Sequence, residues 1–129
     1  MSRTKSRFTI IGVLALTIAA VGAIFSALPA GAKAATPKLV ATVGPGYTIK
    51  VRTAAGAAVR SVKPGLYTIT VRDRSDEHNF HLTGPGVNKS TSVGWAGTKT
   101  WRVRVVHGKT YRFVCDPHAS MMRGSFRGR

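Results

Sequence analysis

From Lys38 onward the chain is a series of short alternating runs cut by glycine and proline, a rhythm that fits extended strands and no helix. In residues 47–52, Tyr47, Ile49 and Val51 share one side, and Thr48, Lys50 and Arg52 the other. Residues 67–72 repeat the pattern with Tyr67, Ile69 and Val71. Residues 98–106 set Trp101, Val103 and Val105 against Arg102 and Arg104, and residues 111–115 align Tyr111, Phe113 and Cys115. Further strands are expected at 38–43, at 78–82 and, briefly, at 124–127, with at most a weak one inside the Ser/Thr/Gly-rich stretch 88–97. Gly44-Pro45-Gly46, Lys63-Pro64-Gly65, Gly84-Pro85-Gly86 and Gly108 mark turns. Residues 73–77 read as a solvated acidic loop. Seven or eight short strands with such punctuation predict an all-β, antiparallel sandwich.

The first third does not belong to that sandwich. Arg3, Lys5 and Arg7 precede an apolar run from Phe8 to about Ala30, and Ala32-Lys33-Ala34 follows as a small-x-small site. Residues 1–34 therefore read as a secretory signal peptide, the alternative being an uncleaved N-terminal membrane anchor. The domain is expected over residues 35–129, as a monomer.

Charge narrows the partners. The whole chain carries 20 Lys/Arg against four acids. Setting aside Arg3, Lys5, Arg7 and Lys33 leaves 16 against Asp73, Asp76, Glu77 and Asp116, about +12. Such a surface favours an acidic partner protein, or an anionic envelope polymer or membrane surface. The basic residues are spread along strands, with no recognition helix or RNA-binding motif to gather them, so nucleic acid is not expected.

The chemistry concentrates in residues 111–124, which hold the only cysteine, His118 and two of the three methionines, Met121 and Met122. A lone thiol in an oxidising compartment is a hazard unless it is buried or metal-bound. Thiolate, imidazole and thioether are the donors that soft, redox-active copper selects. A mononuclear site needs a second imidazole, which His78 supplies, or else His81. These two face opposite ways on a strand, being an odd number of positions apart. Carboxylates are too scarce for paired acid–base catalysis, so an enzyme is not expected.

His78-Asn79, the run Gly108 to His118 and Met122-Arg123-Gly124 together make the sequence resemble the cupredoxins, the plastocyanin- and amicyanin-like blue copper proteins. The resemblance spans about Val43 to Phe126. It implies a Greek-key sandwich, one Cu(I)/Cu(II) ion and single-electron transfer. His78, Cys115 and His118 would be the strong ligands and Met122 the weak axial one. Met121 is the alternative axial donor, but Met122 carries the Met-x-Gly approach to the last strand. Asn79 would support the site from behind. Copper handling without a redox circuit, and a metal-free interaction domain, are the rival readings of the same residues.

Overall fold

The computed structural model describes Gly31 and residues 33–129; the expected apolar N-terminal segment lies outside them. Among the described residues the strands run β1 (Lys38–Val43), β2 (Ile49–Thr53), β3 (Ser61–Val62), β4 (Gly65–Asp73), β5 (His81–Gly84), β6 (Val87–Ser90), β7 (Gly97–Val105), β8 (Thr110–Val114) and β9 (Arg123–Gly128). They form two sheets, ordered β2-β1-β4-β7 and β3-β9-β8-β5-β6. Among these residues no helix is long and apolar enough to cross a membrane.

Alternation builds the interior. Leu39, Ala41 and Val43 pair in register with Ile69, Val71 and Asp73, and Tyr67 and Ile69 with Val103 and Trp101. These inward positions are buried, as are Leu82, Tyr111, Phe113 and Phe126 from the facing sheet. Tyr111 stacks on Phe126 with ring centroids 5.3 Å apart, and Phe80 on Phe113 at 5.7 Å. The Tyr111 hydroxyl donates to the Arg104 carbonyl (2.9 Å) and accepts the Val106 N–H (3.1 Å), tying β8 to the end of β7. Among the described residues nineteen apolar side chains are buried. Each large one contributes about 1.5–3 kcal/mol, so the sandwich has a core well beyond what a single metal site could replace.

Five expectations are corrected. There are nine strands, not seven or eight, because β3 and β6 are too short and too polar to show a period of their own. The sheets are mixed, not purely antiparallel: β1 runs parallel to β4 and β3 to β9. After the β1–β2 hairpin the chain crosses to the other sheet as β3 and returns as β4 beside β1, which forces the parallel neighbour.

Tyr47 does not point inward; it is 64% exposed. Gly44 and Gly46 adopt positive φ, +67° and +62°, and the turn closes through Gly44 N–H to Thr48 O and Thr48 N–H to Gly46 O, both 2.8 Å. β2 therefore starts at Ile49, and Tyr47 escapes its alternation.

Asp73 is buried, at the last inward position of β4. The Thr91 hydroxyl donates to its Oδ2 at 2.6 Å. The same hydroxyl accepts the Phe80 N–H at 2.8 Å, and the Thr91 N–H donates to the Phe80 carbonyl at 3.0 Å. These bonds occupy the backbone of Phe80, so β5 starts at His81 and His78 to Phe80 stand as a pinned loop, not as a strand.

Candidate metal centre

β8 delivers Cys115 to the interior, fully buried. Cys115 N–H donates to the Met122 carbonyl at 2.9 Å, extending the β8–β9 ladder by one residue. Between them the chain makes a 3₁₀ turn, Asp116–His118, with Pro117 in its first positions. Proline suits such a start because its φ is already set and no N–H is needed there. His118 N–H donates to the Cys115 carbonyl (3.1 Å), and the Met121 and Met122 N–H groups donate to the His118 carbonyl (3.0 and 2.8 Å). The turn thus folds His118 back over the thiol.

From the other side the loop before β5 brings His78, 2% exposed. The Nδ1 atoms of His78 and His118 are 3.0 Å apart, and they lie 3.7 and 3.6 Å from the Cys115 sulfur. Metal–nitrogen bonds of about 2.0–2.1 Å and a metal–sulfur bond of about 2.3 Å at roughly tetrahedral angles would space the nitrogens ~3.3 Å apart and each ~3.6 Å from sulfur. The observed triangle is close to that. One thiolate and two imidazoles, closely spaced and mostly buried, fit a single copper ion.

Asn79 joins the two ligand-bearing segments. Its Oδ1 accepts the Asp116 N–H at 2.7 Å, and its Nδ2 donates to Asp116 Oδ2 at 2.7 Å and to the Thr91 carbonyl at 3.4 Å. His81 is not among the clustered donors. Its Nδ1 meets the Asp116 carboxylate at 2.9 Å and its Nε2 meets Asn88 Oδ1 at 2.7 Å. Hydrogen bonding to Asp116 and Asn88 raises the His81 pKa above its ordinary value. Partial burial pushes the Asp116 carboxyl up, but bonds from His81 and Asn79 hold it below its ordinary value.

Met122 is fully buried and Met121 is 62% exposed. Met122 stands just ahead of β9, opposite Cys115, in phase with Gly124 and the buried Phe126. Gly124 is required there: a Cβ on it would come within 2.3 Å of the Phe113 ring. Tyr47 covers the site from outside, its ring 5.0 Å from that of His118 and 5.6 Å from that of His78. His107 is exposed at the β7–β8 turn and is not among the clustered donors.

Sequence reasoning brought out the three donors but missed Tyr47, Asp73 and Thr91. For Asp73 a signal existed, since it continues the inward phase of Tyr67, Ile69 and Val71. Charge is also segregated along the chain: Asp73, Asp76, Glu77 and Asp116 all lie within five residues of His78, Cys115 or His118.

The two facing mixed sheets and the donor loop at their end define a cupredoxin-like sandwich. Among solved structures, the chain is similar to rusticyanin. A methionine-to-glutamine mutant of rusticyanin aligns at 18% identity and TM-score 0.54, over 75% of this chain and 80% of that one. Reduced rusticyanin aligns at 18% identity and TM-score 0.52, over 76% and 82%. A structure described as that of the copper protein rusticyanin aligns at 17% and 0.51, over 75% and 80%. At this identity the likeness is one of fold. No family model and no curated protein matches the chain.

Proposed function

We propose that the protein is an exported single-electron carrier in which His78, Cys115 and His118 hold one copper ion and Met122 is the weak axial donor. The observation that carries this reading is the donor triangle of 3.0, 3.6 and 3.7 Å, formed by side chains that the fold fixes from both sides. A bound copper ion supplies a reversible Cu(I)/Cu(II) couple. The chain's own part is rigidity. Cys115 is locked into the sheet ladder, His118 is held by a hydrogen-bonded turn, and His78 is held by its neighbours Asn79 and Phe80. Little then has to move when the charge changes.

The least buried donor is His118, so contact with a redox partner is assigned to its edge. Burial of Cys115 favours a carrier over a catalyst that admits substrate. Export is supported by the basic, apolar and small-residue order of residues 1–34 and by a single cysteine kept wholly from solvent. We read residues 35–129 as the copper domain.

The test is addition of Cu(II) to the full chain, followed by visible absorption and EPR. The expected result is an intense thiolate-to-copper band, abolished in Cys115→Ser and lost or strongly altered in His78→Ala and His118→Ala. Tight copper binding without that band would favour copper handling, and no stoichiometric binding would overturn the reading.

A further inference from the structure

On the outer face of the five-stranded sheet, a groove of about 510 Å³ runs alongside the donor loop. Thr83, Arg112, Val114, Ala119, Arg123 and Ser125 line it. Sheet register explains the grouping. Arg112 stands opposite Thr83 on one side and Ser125 on the other, and Arg123 stands opposite Val114. These positions alternate with the buried Tyr111, Phe113 and Cys115, so they face outward. Arg112 and Arg123 are diagonal neighbours across β8 and β9, a separation of about 7–8 Å.

Neither arginine has an internal counter-ion. Among the described residues the one ion pair is His81–Asp116, which also occupies the nearest carboxylate in sequence. Two planar guanidinium donors flanked by two hydroxyls form a receptor for carboxylates, because guanidinium matches carboxylate geometry bidentately. Ala119 and Val114 place the groove directly against the turn that holds His118. The end loop that precedes His78 carries the exposed Asp76 and Glu77. An acidic surface is therefore repelled from that loop and attracted to this flank.

We propose that this groove is the docking site for an acidic segment of the protein's partner, with Arg112 and Arg123 as its anchors. The inference rests on the electron-carrier reading for its purpose only, since carboxylate binding needs no metal.

The test uses the full chain in detergent solution, without metal and copper-loaded, and a fluorescent octaglutamate peptide as the probe. Anisotropy at low ionic strength should show binding that Arg112→Gln/Arg123→Gln weakens about tenfold. Arg102→Gln/Arg104→Gln removes the same charge from the opposite sheet and should change affinity less than twofold. Thr83→Glu, which keeps both arginines and adds a carboxylate on β5 opposite Arg112, should weaken binding as the first pair does. Equal losses in both arginine pairs, no peptide binding, or displacement by equimolar inorganic phosphate would each overturn the proposal. Failure of the copper colour in wild-type protein would remove the carrier reading and leave the peptide result standing. Intact colour with equal losses would do the reverse.

Discussion

Asn79 grips Asp116 at both ends of one amide, accepting its backbone N–H and donating to its carboxylate, each at 2.7 Å. Asn79 follows one proposed ligand and Asp116 follows another, so this pair holds together two segments that are 37 positions apart. Asn79 is 3% exposed. Asn79→Ala is expected to cost about 1–3 kcal/mol, because it removes the acceptor of the part-buried Asp116 N–H and a charge-assisted bond to its carboxylate. Urea unfolding of metal-free protein measures this, and a broadened copper spectrum in the variant would show that the two segments no longer hold one geometry.

Met122→Leu is expected to change the copper absorption and raise the reduction potential, while Met121→Leu leaves both as in wild type. The buried residue is the one opposite Cys115, and the exposed one is free in solvent. Voltammetry of the two variants decides the axial donor; equal shifts would reject Met122.

Gly124→Ala is expected to destabilise the protein by about 1–3 kcal/mol through overpacking, since its new methyl would fall on the Phe113 ring. The strain falls on Phe113 and beside Met122, so a lower thermal unfolding temperature should come with a changed copper spectrum.

Tyr47→Ala is expected to leave stability within about 0.5 kcal/mol of wild type, as for an exposed side chain. It should, however, speed removal of copper by a chelator severalfold, because Tyr47 is the ring that lies over both imidazoles. An unchanged release rate would mean that the ring does not shield the site.

The His81–Asp116 pair makes a pH prediction for the metal-free protein. The His81 pKa is raised above 6.5, so its contribution is fully present below 6.5 and is lost as pH rises through the folded value. The Asp116 pKa is lowered below 3.8, so its contribution is present above 3.8 and is lost as pH falls through the folded value. The pair therefore stabilises most between those two limits, by less than about 1 kcal/mol because both groups face water. Denaturation in a pH series should show His81→Gln with a flatter profile above neutrality; an identical profile would show that the pair is energetically silent.

Much of this was legible because strands with one buried side impose a period of two. Residues 38–43 form a strand as expected, and Trp101, Val103 and Val105 are buried while Arg102 and Arg104 are not. The clustering of His78, Cys115 and His118 was legible because few residue types can serve as soft metal donors and this chain has few of them. The rest depended on tertiary contacts that alternation does not encode. Tyr47 obeys the local pattern but is released from it by two positive-φ glycines. The hydrogen bonds from Thr91, eleven residues away, stop His78 to Phe80 from joining β5. Asp73 kept its inward phase, yet a carboxylate reads as solvated until its hydroxyl partner is in place. β3 gains its identity only from pairing with β9.

Basic residues outnumber acidic ones four to one over residues 35–129. Such an excess of one sign keeps copies of the protein apart in solution, and it means that a cation-exchange matrix should hold the protein while an anion-exchange matrix lets it pass.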